Sequence, residues 1–328
     1  MADLTINRLR SGGVITNLYC SAACKHCLYA SSPKWDKGYI DASMASKVIT
    51  KIKELGCHSV HIGGGEPLLN IDGMLQFLQI ANQQNLMVEY IETNSSWYKN
   101  AAQAVAILDQ LRELRVDTLL ISMSPFHNEY VPFYKVKGLI AACERSGMAV
   151  FPWIRDFFGD INSFDDKQTH SLTAYCAKFG TDYVQKIPGR FPLNLRGRAL
   201  LTYKDFHAQI PIEQVLEDNS TGCSGLANTS HFHIDLFGNY IPGLCSGLSI
   251  SVDDLGKALD DQEYLFLHTL YNRGVPGLLE IAQEQYAFVP DAQYVSKCHL
   301  CFEIRSHLVL AQKVVAKDLN PVEYYQYV

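Results

Sequence analysis

The sequence lacks any apolar run that approaches the length of a membrane span, which needs about 20 residues. Residues 1–10 carry charges but no apolar segment like that of a secretory signal peptide. We therefore expect a cytoplasmic protein with no membrane partner. Positive charge is not in excess either, because 28 Lys and Arg residues stand against 34 Asp and Glu residues. A nucleic-acid partner is not expected, since it would require a basic patch.

Cysteine, by contrast, is abundant, with 10 residues in a chain of 328. Disulfides are rare in a reducing compartment, so closely spaced cysteines there indicate metal or redox sites. Cys57, Cys143 and Cys176 stand alone in helical or strand patterns, and we expect them to be small buried apolar residues. The other cysteines form two groups, at residues 20–27 and 223–301.

The first group is Cys20-Ser21-Ala22-Ala23-Cys24-Lys25-His26-Cys27, with the spacing C-x3-C-x2-C. Three thiolates do not complete a tetrahedral zinc site without a fourth ligand. They suit three corners of a [4Fe–4S] cluster and leave its fourth iron open to a non-protein ligand. A zinc knuckle is the alternative for this motif alone. A second motif, Gly63-Gly64-Gly65-Glu66-Pro67, follows a strand-like run at 59–62.

Strand-like and helical segments alternate along the first part of the chain. Strands are predicted at 13–18, 59–62, 87–92, 118–123, 150–154 and 181–185, and helices at 41–55, 71–82, 99–114, 135–146 and 171–179. This alternation predicts an α/β fold with a parallel sheet. The pattern alone does not separate an open doubly wound sheet from a barrel.

The cysteine spacing and the glycine-rich motif together resemble the radical S-adenosylmethionine (radical SAM) enzymes. This resemblance implies a partial, TIM-like (β/α)6 barrel whose active site lies at the C-terminal ends of the strands. It also implies that one [4Fe–4S] cluster binds Cys20, Cys24 and Cys27. The glycines that are implied to hold S-adenosyl-L-methionine are Gly63, Gly64 and Gly65. Glu66 is expected to position the cofactor's amine, and the alternative is that it caps a helix N-terminus.

Two further strand ends resemble cofactor contacts of the family. Thr93 and Asn94 end the third predicted strand, although Asn at a strand end is also ordinary turn chemistry. Ser122 ends the fourth strand, and Ser124 stands where members of the family often have Asp. We expect Thr93, Asn94 and Ser122 to contact the cofactor.

Three residues are candidates for acid or base chemistry. His127 follows the fourth strand, and its alternative is a structural hydrogen-bonding role. Asp156 and Arg155 follow the fifth strand, and their alternative is a surface ion pair.

The second cysteine group is Cys223, Cys245, Cys298 and Cys301, a ligand set that can complete one [4Fe–4S] cluster or one structural zinc site. Together with Gly197-Arg198-Ala199, it resembles the twitch domain, a shortened SPASM domain that holds an auxiliary cluster. The spacing is similar to that of aminocyclitol dehydrogenases of aminoglycoside pathways. A full SPASM domain needs more cysteines than Arg305–Val328 supplies.

Pro211 and the polar stretch 217–222 indicate a domain boundary. We predict a radical SAM core at 1–215, an auxiliary-cluster domain at 216–310 and a tail at 311–328. Three arginines nearby, Arg190, Arg196 and Arg198, form a basic cluster, which is either a solvated loop or a site for carboxylate or phosphate.

The resemblance implies an oxygen-sensitive enzyme that cleaves adenosylmethionine to a 5′-deoxyadenosyl radical and removes hydrogen from an organic substrate. We expect oxidation of a small polar metabolite, with the auxiliary cluster as electron acceptor and flavodoxin or ferredoxin as reductant. One alternative is a peptide or protein maturase that forms thioether or C–C links or oxidises a side chain. The short segment before Cys20 counts against a leader-peptide recogniser. Another alternative is a non-catalytic zinc- or cluster-binding scaffold.

Overall fold

The strands of the protein form two sheets. The computed structural model describes residues 4–191 and 193–328. Its strands are β1 Gly12–Ile15, β2 Ser59–Gly63, β3 Met87–Thr93, β4 Thr118–Ser122, β5 Ala149–Trp153, β6 Ile210–Pro211, β7 Phe232–Asp235, β8 Asn239–Tyr240, β9 Ile250–Ser251 and β10 Gln293–Tyr294. The larger, 8-stranded sheet has the order β5-β4-β3-β2-β1-β7-β8-β9, and β6 pairs with β10. Strands β1 to β5 and β7 are parallel, whereas β8 and β9 are antiparallel.

Helices cover the sheet and build the C-terminal part. They are α1 Ala42–Glu54, α2 Ile71–Gln83, α3 Ala101–Glu113, α4 Pro125–Asn128, α5 Phe133–Ser146, α6 Phe158–Asn162, α7 Leu172–Phe179, α8 Tyr183–Arg190, α9 Arg198–Tyr203, α10 Ile212–Glu217, α11 Leu265–Tyr286, α12 Lys297–Ser306 and α13 Val322–Tyr327. Within the described residues, none of these helices has the length and apolar character needed to cross a membrane.

The predicted α/β alternation is confirmed from β1 to α7, with small differences at the element ends. Helix α1 shows why, because its N-cap Asp41 accepts a hydrogen bond from the Met44 N–H and its buried residues recur at helical spacing. Helix α5 ends at Gly147, whose φ of 68° is in the left-handed region. The fold is therefore α/β with a mostly parallel sheet.

The sixth strand predicted at 181–185 is wrong, because this segment enters helix α8. Tyr183 and Ile187 are buried while Gln185 and Lys186 are exposed, which is the pattern of one helical face rather than of a strand. The sixth parallel strand is instead β7, which pairs with β1. Gly12 allows this pairing, since a Cβ there would lie 2.1 Å from the Phe232 carbonyl oxygen.

The larger sheet continues across the boundary predicted near residue 215. Strand β7 lies beyond that boundary and pairs with β1, the first strand of the predicted core. In the predicted tail, the Tyr325 hydroxyl donates a hydrogen bond to the Gly247 carbonyl at 2.6 Å. The division into three parts stays a prediction. The β1–β7 pairing joins the first and second parts, and the hydrogen bond from Tyr325 joins the second and third.

Candidate functional site

A cavity of about 400 Å³ opens at the carboxyl ends of the parallel strands. Its wall contains residues that directly follow β2 and residues that end β3, β4 and β5. Most of the predicted first-site residues are brought together there, namely Cys20, Cys24, Cys27, Gly64, Gly65, Thr93, Asn94, Ser122 and His127. This position is the usual location of a ligand site in a parallel α/β fold.

The loop that carries the first three cysteines is held by helix α9. The Arg198 Nε donates a hydrogen bond to the Cys24 carbonyl at 3.0 Å, and the Arg198 backbone N–H donates to the Cys27 carbonyl at 3.1 Å. Gly197 makes the close approach possible, since a Cβ there would lie 2.5 Å from the Leu28 carbonyl oxygen. The Gly197-Arg198 pair therefore fixes the backbone of the cysteine loop.

Cys20 and Cys24 are buried, and the Cys20 sulfur accepts two hydrogen bonds. Burial raises the pKa of Cys20 to about 12 and the pKa of Cys24 well above its ordinary value. Such thiols keep their protons unless a metal ion displaces them. The Asn94 Nδ2 donates to Cys20 Sγ at 3.3 Å, and the Ala22 N–H donates to the same sulfur at 3.4 Å.

The glycine-rich loop packs against the segment that leads into Cys20. The Gly65 N–H donates to the Asn17 carbonyl at 2.8 Å. Gly64 has a φ of 151°, and a Cβ on it would lie 2.5 Å from that same Asn17 oxygen. Gly63 is not in the cavity wall, and a Cβ on it would lie 3.0 Å from Glu92 Oε2. The three glycines thus allow close backbone packing as well as access to the cavity.

Replacing Gly65 by Ala should destabilise the protein. The new Cβ would lie 2.0 Å from the Tyr19 carbonyl oxygen, so the loop and the segment before Cys20 must separate. We expect a loss of about 1–3 kcal/mol in the free energy of unfolding, measured by urea denaturation. The control is Gly159→Ala, because a Cβ at that exposed position would have no atom within 4 Å. Equal stability of the two variants would contradict this packing.

Glu66 is fully buried behind the cavity wall rather than in it. Its Oε1 accepts hydrogen bonds from the Thr93 hydroxyl at 2.8 Å and the Leu68 N–H at 3.3 Å, and its Oε2 accepts from the Asn94 N–H at 2.6 Å. Burial raises the pKa of this carboxyl to about 7. The contacts fit the helix-capping alternative, and they also join the glycine-rich loop to the end of β3.

The acid and base candidates lie in different surroundings. His127 is in the cavity wall, where its Nδ1 is 2.7 Å from the Ser124 hydroxyl and burial lowers its pKa to about 4. It is therefore neutral near pH 7. Arg155 and Asp156 are exposed on a short 3₁₀ turn after β5 and are not among the described residues of the wall. The structure does not bring these two to the cavity.

Several cavity residues have no counterpart in the sequence-based set, namely His26, Tyr29, Glu92, Trp153, Phe191, His231 and His233. Burial raises the pKa of Glu92 to about 7. For Glu92 and His233, the available signal was a polar residue inside a strand pattern.

The family comparison agrees with this geometry. Residues 14–142 match the family profile of the Radical SAM superfamily. The match supports membership of that superfamily. The matched segment contains the first cysteine group, the glycine-rich loop and strands β2 to β4, so we refer to it as the radical SAM region.

Solved structures give weaker likenesses. BtrN in complex with AdoMet and 2-DOIA is 14% identical, with a TM-score of 0.46 and coverage of 84% of this chain and 91% of that one. anSMEcpe with bound AdoMet is 14% identical, with a TM-score of 0.45 and coverage of 91% of this chain and 97% of that one. HemN from Escherichia coli, a coproporphyrinogen III oxidase described as a radical SAM enzyme, is 12% identical, with a TM-score of 0.38 and coverage of 91% and 89%. No curated protein sequence matches the chain.

A second cavity, of about 250 Å³, lies C-terminal to the radical SAM region in sequence. All four cysteines of the second group line it: Cys223, Cys245, Cys298 and Cys301. The loops that carry the first two pack closely, since a Cβ on Gly243 would lie 2.6 Å from the Gly225 carbonyl oxygen. The other two lie in the first turns of α12. The structure thus gathers the whole predicted ligand set.

The wall of the second cavity is positively charged. Arg196, Lys297 and Arg305 line it, and Arg305 is 5% exposed. The Arg305 Nη1 donates to the Ser246 carbonyl at 3.1 Å, whereas the Arg305 Nε has no hydrogen-bond partner among the described residues. A buried guanidinium favours a negatively charged occupant.

A zinc site made of thiolates requires closely spaced sulfurs. A tetrahedral site with Zn–S bonds of about 2.3 Å places sulfurs about 3.8 Å apart. Among the residues that the structure describes, the set of three potential ligands that lies within 4.8 Å consists of histidines and contains no cysteine.

The basic cluster predicted at residues 190–198 divides between different contacts. Arg190 pairs with Asp160. Arg196 donates to the Gly243 carbonyl beside the second cavity, while Arg198 holds the first cysteine loop. The tripeptide Arg196-Gly197-Arg198 therefore connects the two thiol sites directly.

Proposed function

We propose that this protein is a radical SAM enzyme that oxidises a small polar metabolite. In this proposal the first cavity holds a [4Fe–4S] cluster and adenosylmethionine, and the second cavity holds an auxiliary [4Fe–4S] cluster. The observation that carries the proposal is that each cysteine group converges, as a complete set, on its own cavity. A partial (β/α)6 barrel remains the expected architecture of the core.

The residues of the first cavity fit the implied cofactors. Three thiols lie in one wall with Gly64 and Gly65, and the Asn94 amide donates to Cys20 Sγ. When bound, the cluster and adenosylmethionine supply a 5′-deoxyadenosyl radical that removes a hydrogen atom from the substrate.

The protein's own residues must exclude water from a reactive site. Trp153 and Phe191 pack edge to face, with ring centres 5.2 Å apart, in the wall beside the strand ends. Leu120 and Leu193 add apolar surface there. We propose that this apolar part of the cavity wall shields the substrate from water while it is oxidised.

Glu92 is our candidate base, in place of Asp156 and Arg155. Its carboxyl lines the cavity, and a pKa of about 7 lets it accept a proton near neutral pH. For conversion of an alcohol to a carbonyl, the substrate would lose a carbon-bound hydrogen atom to the cofactor held in the first cavity and its hydroxyl proton to Glu92. The one remaining electron would pass to a cluster held by the four cysteines of the second cavity, so the step balances.

The residues of the second cavity fit an anionic cluster. Four thiolates give a [4Fe–4S] cluster a net negative charge, which Arg196 and the buried Arg305 would offset. The unpartnered Arg305 Nε is a donor that such a group would satisfy.

The test is anaerobic turnover of the reconstituted protein with dithionite, adenosylmethionine and a panel of deuterated polyols and aminocyclitols. We expect deuterium in 5′-deoxyadenosine and an equal amount of oxidised product from one class of compound. The Glu92→Gln variant should still form deoxyadenosine but lose most of the product. Turnover of peptides alone would instead favour a maturase, and no deoxyadenosine under any condition would favour a scaffold.

Replacing Asn94 by Leu should make the reduction potential of the first cluster more negative. Hydrogen bonds to ligand sulfurs stabilise the more negatively charged reduced state, and this variant removes the donor to Cys20 Sγ. The measurement is a redox titration followed by electron paramagnetic resonance. Asn162→Leu is the control, because Asn162 is exposed and contacts Lys137 instead. Identical potentials in both variants would show that the hydrogen bond has no influence.

A further inference from the structure

Three imidazoles converge at the wall of the first cavity. The potential ligand nitrogens of His61, His231 and His233 all lie within 4.8 Å of one another. The Nε2 atoms of His61 and His233 are 3.0 Å apart. His231 and His233 line the cavity, whereas His61 is buried behind them.

The sheet register creates this convergence. Gly13 of β1 pairs with His61 of β2 on one side and with His233 of β7 on the other. A Cβ on Gly13 would lie 2.3 Å from His61 Nε2, so the missing side chain leaves the space in which the rings meet. His61 and His233 are therefore held by two strands of the sheet, and His231 directly precedes β7.

Neighbouring groups fix the orientation of two of the rings. The Tyr29 hydroxyl lies 3.0 Å from His233 Nδ1. His61 forms a hydrogen bond with the Gly12 backbone, and its ring stacks on Tyr90 with centres 5.0 Å apart. Imidazoles that bind metals usually have the second ring nitrogen held in this way by a backbone or side-chain group.

We propose that His61, His231 and His233 bind a divalent transition-metal ion, with zinc as the best fit, at the wall of the first cavity. Three imidazoles plus one exchangeable oxygen ligand are a known catalytic zinc arrangement. Zn–N bonds of about 2.0–2.1 Å in a tetrahedron place nitrogens about 3.3 Å apart, close to the separation seen for His61 and His233.

The open position of this ion would accept an oxygen atom of water or substrate. Glu92 Oε1 is 3.8 Å from His61 Nε2, so this carboxyl lies beside the proposed position of the ion. This use of the ion rests on the proposed function, but the binding of metal does not, because it requires neither cluster nor radical chemistry.

The competing account is a metal-free chain of hydrogen bonds from Tyr29 through His233 to His61. His231 has no place in such a chain, whereas it is a ligand in the metal site. His231 is also exposed, so its replacement leaves the core intact. This residue therefore separates the two accounts.

The experiment uses the anaerobically reconstituted protein, whose thiols are occupied, after a chelator wash that removes loosely held iron. Equilibrium dialysis against Zn²⁺ should add one ion per chain to the wild type. His231→Ala should abolish this binding, and Tyr29→Phe should weaken it about 10–100-fold. The control His58→Ala changes an exposed histidine outside the cluster and should bind as the wild type does.

Cobalt provides the second readout. Co²⁺ bound at this site should show the visible bands of a tetrahedral ion without the sulfur-to-cobalt charge-transfer band of a thiolate site. The proposal is overturned if the wild type binds no additional ion, if His231→Ala binds as tightly as His58→Ala, or if the bound cobalt carries the thiolate band. Formation of deoxyadenosine, measured on the same samples, reports separately on the proposed function.

Discussion

Replacing Cys20, Cys24 and Cys27 together by Ala is expected to abolish formation of 5′-deoxyadenosine. The three thiols line the first cavity, and an open-iron cluster cannot assemble there without them. The iron content should fall by about half, because the second group keeps its own four ligands. Deoxyadenosine is measured by chromatography after incubation with dithionite and adenosylmethionine.

The matched control for this experiment is Cys176→Ala. Cys176 is half-buried in α7 and belongs to neither cysteine group, so its loss should leave iron content and deoxyadenosine formation unchanged. A triple variant that still cleaves adenosylmethionine at the wild-type rate would show that the thiols of the first cavity are not needed for this cleavage.

Replacing Cys298 and Cys301 together by Ala should affect deoxyadenosine and the oxidised product differently. Deoxyadenosine formation should remain measurable, because the first cavity is intact. The oxidised product should disappear, since the substrate radical has lost the acceptor for its remaining electron. The radical must then find a hydrogen atom elsewhere, so an epimer or a reduced analogue is expected. Mass spectrometry of the reaction mixture distinguishes these products.

This double variant needs a check on folding, because metal ligands also stabilise the domain that contains them. Arg305 lies in the same cavity wall and would lose its anionic partner. Circular dichroism and the iron of the first cluster should therefore match the wild type before the products are compared. A folded double variant that yields the normal oxidised product would mean that the second cluster has only a structural role.

The first site could be predicted from sequence because its motifs are short and end neighbouring strands. Cys20 to Cys27 form one loop, Gly64 follows β2, and Asn94 follows β3. Parallel strands bring their carboxyl ends to one edge, so residues distant in sequence meet there without any knowledge of side-chain contacts. The second cysteine group also converges as the spacing indicated.

Features that depend on long-range register could not be predicted. The pairing of β7 with β1 joins residues far apart in sequence, and the histidine cluster exists because Gly13 lies between His61 and His233. Nothing in a local pattern specifies that arrangement. Arg155 and Asp156 do not line the first cavity for a related reason. They follow a strand of the site, but Ile154 has a left-handed φ of 67°, and the 3₁₀ turn after it is exposed.

The most direct test of the account is the iron, sulfide and zinc content of the wild-type protein after anaerobic reconstitution. The seven grouped thiols and one open iron position provide for two cubic clusters. We therefore expect about eight iron and about eight sulfide ions per chain, with Mössbauer spectra of [4Fe–4S] clusters. Any zinc that binds should be held by the histidine cluster and not by thiolates. About four iron ions, with a zinc ion that shows thiolate ligation, would contradict the auxiliary cluster and the route proposed for the outgoing electron.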